Sequence, residues 1–382
     1  MNFDFNEDQF ALRDSVRSFL DDRWGPRKAR AAGDRFDIDL WQGLCGLGLQ
    51  TLLIPTEHEG SGLSLVDFVL VLEEFGRALV PAAMVDTVLA SEVIARYGSP
   101  AQHQALLPRI AGGHCRFAIA HAQAGAGPDA SEVTLAAAED AGGWRLRGQK
   151  ILVPCAVGAT HLMVSARPSK GPAALFLCEV AAGGIGIKPH RAVDPFSLLC
   201  EVNFDGARAE PVGARPDAAA LARLLDTSAF AAAAQMVGVS GAAMNLAVDY
   251  AKQRVQFERP IGSFQAIKHK CADMFVALEG ATSAAYYTSW ALAGDEPEAA
   301  LAVSMAKAAC GDACRQICND SMQVFGGVGF TWEFDIHLYM KRGRLLEAVF
   351  GDATLHRERI AAIVLDPAGA VAAVAAVAVT AA

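Results

Sequence analysis

The chain has 382 residues, 53% of them hydrophobic, with 33 Lys and Arg against 42 Asp and Glu for a net charge of −9. A chain of this size buries more than one core, since single cores stop growing beyond roughly 250–300 residues, and the mild negative balance without a Lys/Arg block argues against nucleic acid and membrane as partners. Nine scattered cysteines fit reduced thiols packed as small apolar residues, and the acidic opening from Met1 to Asp8 predicts a cytoplasmic protein.

Helical patterns fill the first hundred residues. Asn6 with Gln9 three positions on is a capping-box signature, followed by an apolar stripe at Leu12, Val16, Phe19 and Leu20. Leu40, Trp41, Leu44 and Leu47 continue the pattern to Gly48. Asp67 to Leu79 predicts an amphipathic helix before Pro81, and Thr87 to Tyr97 another that stops at Gly98-Ser99-Pro100. After Gly112-Gly113 the texture turns β-like, in short runs at Trp144–Leu146, Ile151–Val153, His161–Ala166, Ala174–Val180 and Leu198–Phe204. Helical periodicity returns from Asp217, with long segments near 217–255, 262–293, 297–324 and 336–364 that suggest a packed antiparallel bundle. The expected fold class is α+β multidomain: an N-terminal helical domain over 1–115, a small central β domain over 116–215, a C-terminal helical bundle over 216–366, and a low-complexity Ala/Val tail over 367–382.

Motifs carry the functional reading. The run from Tyr250 to Gln265, with Arg254, Phe257 and Gln265, and the run from Gln323 through Gly326-Gly327 to Phe330, followed by His337 to Arg342, resemble the acyl-CoA dehydrogenase family. So do Leu47-Gly48-Leu49 to Ile54-Pro55 and Leu72-Glu73-Glu74-Phe75-Gly76. Arg254 and Phe257, three apart, read as one helical face on which a guanidinium meets a pyrophosphate beside an aromatic wall. Glycines 326 and 327 let backbone N–H groups approach a ligand. Taken singly, Arg254 is a solvated helix residue and the glycine pair a helix-ending turn. The resemblance implies that Arg254, Phe257, Gln265, Gln323, Gly326 and Gly327 hold the ADP half of an FAD belonging to the neighbouring protomer. It also implies an acyl-CoA thioester as substrate and an electron-accepting flavoprotein as partner.

The departures from that family are specific. Its reaction needs a carboxylate base, yet Phe350 occupies the usual glutamate position and Ser228 the alternative one. Asp352 and Glu347 stand nearby as relocated bases or as solvated surface acids. Glu258 replaces a glycine and adds negative charge near Arg254. The flavin-ring segments read Ala120 to Asp129 and Lys150-Ile151-Leu152-Val153-Pro154, and Pro154 offers neither N–H nor hydroxyl. Groups offered to the chain's own flavin ring are degraded while those offered across a dimer persist. This pattern implies the base-lacking partner of a related acyl-CoA dehydrogenase subunit in a heteromer.

Two alternatives are a self-sufficient homomeric enzyme using Asp352 or Glu347, and a non-enzymatic binding protein that kept the fold. Asp226, in Leu225-Asp226, resembles the family's acyl-CoA contact or is an acid at a helix N-terminus. Cys310, Cys314 and Cys318 read as a small-residue packing stripe rather than a metal site, and His121 as a partly exposed loop histidine.

Overall fold

Asn6 opens α1 (Glu7–Arg23) as its spacing predicts, accepting from the Gln9 N–H at 2.9 Å while Gln9 returns a bond to the Asn6 N–H. The computed structural model describes residues 5–32 and 35–365, so the tail expected over 367–382 lies outside the described residues. Helices α2 (Pro26–Ala32), α3 (Ile38–Gly46), α4 (Leu65–Arg77) and α5 (Ala83–Tyr97) follow. The Gly98-Ser99-Pro100 stop also starts α6 (Pro100–Ala111): Ser99 caps it in a box with Gln102, and Pro100 sits where a missing N–H costs nothing.

The strands are β1 (Phe117–Ala120), β2 (Ala136–Asp140), β3 (Gly143–Pro154), β4 (His161–Pro168), β5 (Ala174–Glu179), β6 (Ile185–Pro189) and β7 (Leu199–Pro211). Two of the expected runs are one strand, because β3 carries a bulge between Lys150 and Val153 and continues against β7. Among the described residues the pairing order β1-β4-β2-β3-β7-β5 returns through a β4–β5 pairing, so the sheet closes on itself, with β6 on the side of β7. Inward positions at Leu146, Val153, Val164, Phe176, Cys200, Val202 and Phe204 fill it. The free edge of β1 is capped by α5, where Thr87 accepts the Phe117 N–H at 2.9 Å and Asp86 the Ile119 N–H at 3.0 Å.

The remaining elements are α7 (Ala218–Gln253), a hairpin of β8 (Val255–Gln256) and β9 (Arg259–Pro260), α8 (Gln265–Ala293), α9 (Ala299–Phe325), α10 (Ile336–Ala348) and α11 (Ala353–Leu365). The segment expected as one helix over 336–364 is two, because Phe350 and Gly351 take φ of 56° and 98° and left-handed residues end a right-handed helix. By length and composition α7 passes as a membrane span, but 67% of that window is buried within the chain, as in a core helix.

The chain divides into two compact units. The helical unit gathers α1, Leu65–Val80 and everything described from Ala229 onward. The β unit gathers Arg30–Ser64 and Pro81–Ser228. Within the helical unit, α4 and α7 cross backbone to backbone. A Cβ on Gly76 would lie 2.0 Å from the Gln235 carbonyl oxygen, and one on Gly238 would lie 1.9 Å from that of Glu73. The cysteine stripe packs as expected, with Cys310, Cys314 and Cys318 each at most 3% exposed.

Candidate functional site

The residues singled out from the sequence fall at two places in the helical unit and at separate positions in the β unit. The first lies in the helical unit and begins where α7 ends. Arg254 and Phe257 do not share a helical face. The helix stops at Gln253, Arg254 adds one last bond to the Tyr250 carbonyl at 2.8 Å, and Phe257-Glu258 form the tip of the β8–β9 hairpin. Both tip residues have positive φ, 50° and 66°, as a two-residue primed turn requires. The glycine that Glu258 replaces would hold this conformation without strain.

Phe257 is 84% exposed, and Arg254 presents its guanidinium to solvent with no ion pair among the described residues. The Tyr250 ring stacks on Phe325 at 4.3 Å and 16°, which fixes the end of α7 against the residue preceding Gly326. Hairpin and glycine turn are thereby brought together. Gly326 takes φ 68° and ψ −149°, a conformation that suits only glycine, and a Cβ at 326 or 327 would meet nothing within 4 Å. Gln323 on the last turn of α9 and Gln265 at the start of α8 are exposed as well. No side chain caps the N-terminus of α8, which opens on the exposed Gln265 and Ala266. An unpaired guanidinium, an exposed aromatic ring, an open glycine backbone and an uncapped helix start fit the phosphates and flat ring of a nucleotide.

The second place is the turn between α10 and α11, also in the helical unit. Phe350 stands there, half-buried, with its carbonyl held by His356 Nε2 at 3.0 Å. Lys307, fully buried on α9, donates to the carbonyls of Glu347 at 2.8 Å and Gly351 at 2.6 Å. Burial pushes Lys307 down to about 8 and His356 down to about 4. Sequence reasoning passed over this clamp, whose only signal is a lysine among the small buried residues of α9.

Neither acidic neighbour is free at this turn. Glu347 is tied to Arg315 at 2.7 Å and Arg344 at 3.1 Å. Asp352 is exposed and accepts the Leu355 N–H at 2.9 Å, as an N-cap of α11 does.

The remaining residues lie apart in the β unit, Asp226 and Ser228 on α7 and His121 just after β1. Ser228, at the alternative base position, is 2% exposed and its hydroxyl has no hydrogen-bond partner among the described residues. Asp226 lies well inside α7, which starts at Ala218, so the stabilising end of the helix dipole is beyond its reach. His121 is buried, not a partly exposed loop residue: it is 7% exposed, with Nδ1 2.9 Å from Ser165 Oγ and Nε2 2.7 Å from the Pro128 carbonyl. Lys150 is fully buried beside it. Among the described residues no group of His, Cys, Asp and Glu is disposed to hold a metal ion.

Residues 6–114 match the acyl-CoA dehydrogenase N-terminal domain and residues 218–365 the acyl-CoA dehydrogenase C-terminal domain, so the chain belongs to the acyl-CoA dehydrogenase family. That family comprises oxidoreductases whose members bind FAD. The acyl-CoA dehydrogenase IpdE2 of Mycobacterium tuberculosis is 32% identical over 348 residues, covering 88% of this chain and 91% of its own. A variant of the Tcur3481-Tcur3483 steroid ACAD is similar in structure, with a TM-score of 0.87 at 29% identity over 95% of this chain and 99% of that one. The ChsE4-ChsE5 complex of M. tuberculosis has a TM-score of 0.87 at 26% identity, over 96% of this chain and 99% of that one.

Proposed function

We propose that this chain is the base-lacking subunit of a heteromeric acyl-CoA dehydrogenase, acting in α,β-dehydrogenation of an acyl-CoA thioester. The observation that supports it most is a contrast within the helical unit. The turn that would present a base holds Phe350, with Glu347 engaged by two arginines and Asp352 spent on a helix cap. The hairpin tip and the glycine turn remain exposed, with space beside Gly326 and Gly327. Steroid ACAD and ChsE4-ChsE5 relatives support the heteromeric reading.

In this reading Arg254 pairs with the pyrophosphate of FAD, Phe257 forms an aromatic wall, and Gln265, Gln323 and the Gly326-Gly327 backbone, where no Cβ blocks approach, complete the hold on its ADP half. FAD, when bound, supplies the hydride acceptor. This chain's own part is to bind and orient the nucleotide for a partner subunit that carries the carboxylate, and Asp226 serves acyl-CoA contact. An electron-accepting flavoprotein reoxidises the complex, which works in the cytoplasm.

The test is Asp352→Asn in the complex isolated with its partner subunit. Asparagine caps a helix about as well as aspartate, so the fold survives, and turnover stays within a few-fold. Loss of general-base catalysis would instead lower the rate by about a hundredfold to ten-thousandfold. That outcome, with FAD still bound, would favour the homomeric enzyme.

A further inference from the structure

The connection between β1 and β2, residues 121–135, is fastened to the β unit by buried polar groups over its first half, while Val133 and Leu135, each 3% exposed, pack its far end against the core. Lys150 on β3 donates to the His121 carbonyl at 2.8 Å, to Gln123 Oε1 at 2.5 Å and to Ser165 Oγ on β4 at 2.9 Å. Three ammonium protons meet three acceptors, none of them a carboxylate. Gln123 Oε1 also accepts the N–H groups of Thr134 and Leu135 at 3.2 and 3.4 Å, which carries the attachment to the far end of the connection. Arg167 on β4 grips the same segment through the carbonyls of Val133 at 2.7 Å and Ser131 at 2.8 Å.

His121 closes this network, and its proton inventory has one consistent solution. Nε2 faces the Pro128 carbonyl, so Nε2 carries the hydrogen. Nδ1 faces Ser165, so Nδ1 accepts the hydroxyl proton while the serine oxygen accepts from Lys150. A second ring proton has to enter at Nδ1. There it displaces the serine hydrogen and sets an imidazolium across one oxygen atom from a buried ammonium.

We propose that His121 is an acid-sensitive latch, whose protonation releases the 121–135 connection from Lys150 and Ser165 on the wall of the β unit. The charged and titratable groups around it come from each neighbouring element. β3 presents Lys150. β4 presents Ser165 and, further along, Arg167, whose guanidinium is committed to carbonyls. α5 presents Asp86, bonded to the Ile119 N–H two residues upstream of His121. The connection itself contributes Asp129, and Glu132, which is turned onto the Gly127 N–H at 2.7 Å.

Burial, with Lys150 beside the ring, pushes His121 down to about 4 from an ordinary value of 6.5. The closed latch therefore keeps its full stability above 6.5 and loses it as pH falls toward 4. The inference stands on the β unit alone, whether or not this chain holds a flavin of its own.

Hydrogen–deuterium exchange of the full chain, corrected for intrinsic pH dependence, tests it by comparing peptides from 121–135 with peptides from β4 between about pH 7 and pH 4.5. The opening constant of 121–135 should rise by roughly two orders of magnitude while β4 stays protected. His121→Asn, whose side-chain carbonyl still takes the serine hydroxyl, should remove the pH-dependent part. Ser165→Ala, which takes away the hydroxyl that blocks Nδ1, lets the closed state accept the second proton and should shrink the acid-induced rise. If His121→Asn does not fold, the smaller rise in Ser165→Ala decides. Exchange in 121–135 that does not exceed that of β4 on acidification, His121→Asn that keeps the full pH dependence, or an undiminished rise in Ser165→Ala would each overturn the latch.

Discussion

Arg254 is the residue on which the nucleotide reading bears most heavily, and its environment makes the outcome of removing it definite. It has no ion pair among the described residues, so Arg254→Ala takes away no intrachain partner and leaves the fold intact. A charge-assisted contact to a pyrophosphate is worth about 1.5–3 kcal/mol, so FAD in the assembled complex should bind about tenfold to a hundredfold more weakly. Flavin titration of the intact complex measures this.

Asp86 was not visible as a special residue in the sequence, because an acid on a buried helix face looks like any other until its surroundings are known. Burial pushes it up to about 8 from 3.8. The folded chain keeps that proton while the unfolded chain sheds it, so the stability it contributes is present below 3.8 and lost as pH rises toward 8. Asp86→Asn still accepts the Ile119 N–H and does not titrate. Urea unfolding should find the variant more stable than the parent by at least about 1 kcal/mol at neutral pH, with the gap closing toward pH 4.

Elements were legible in proportion to how locally they are determined. The Asn6 capping box, the Ser99 cap and the long helices of the bundle follow from near neighbours in the chain. The hairpin after α7 and the break between α10 and α11 do not, because both rest on non-glycine residues in left-handed conformations, at Phe257, Glu258 and Phe350, which no local preference favours. Such conformations hold only where the rest of the fold imposes them, and at Phe350 the imposing groups are Lys307 and His356 from other helices. The expectation of Arg254 and Phe257 on one helical face failed for this reason, although both residues belong to the same open site. β2 went unread because its Ala136-Ala137-Ala138 start lacks the branched and aromatic residues that mark a strand.

Crossing helices give a sharper test at this scale. Gly238→Ala places a Cβ 1.9 Å from the Glu73 carbonyl oxygen, a backbone atom that moves only if α4 moves. Overpacking of this kind costs about 1–3 kcal/mol or more. Thermal unfolding should show a clear drop in Tm for Gly238→Ala and little change for Gly280→Ala, since a Cβ on Gly280 meets nothing within 4 Å.

At the scale of the whole molecule, the order of helices, closed sheet and helices was readable because period and turn residues change at Gly112-Gly113 and again near Asp217. The compact units follow another logic: α4, near the start of the chain, joins the C-terminal helices through Gly76 and Gly238, a contact between residues far apart in sequence.

Whether this chain completes the nucleotide site of another subunit and lacks a base of its own is decided by counting flavin. The chain is purified alone and again co-expressed with a candidate acyl-CoA dehydrogenase subunit, and flavin absorbance is measured against protein in both. We predict weak, substoichiometric FAD in the chain alone and a tightly held stoichiometric flavin, with acyl-CoA oxidation, in the complex. A stoichiometric, tightly bound FAD in the chain alone, together with turnover of an acyl-CoA, would contradict it.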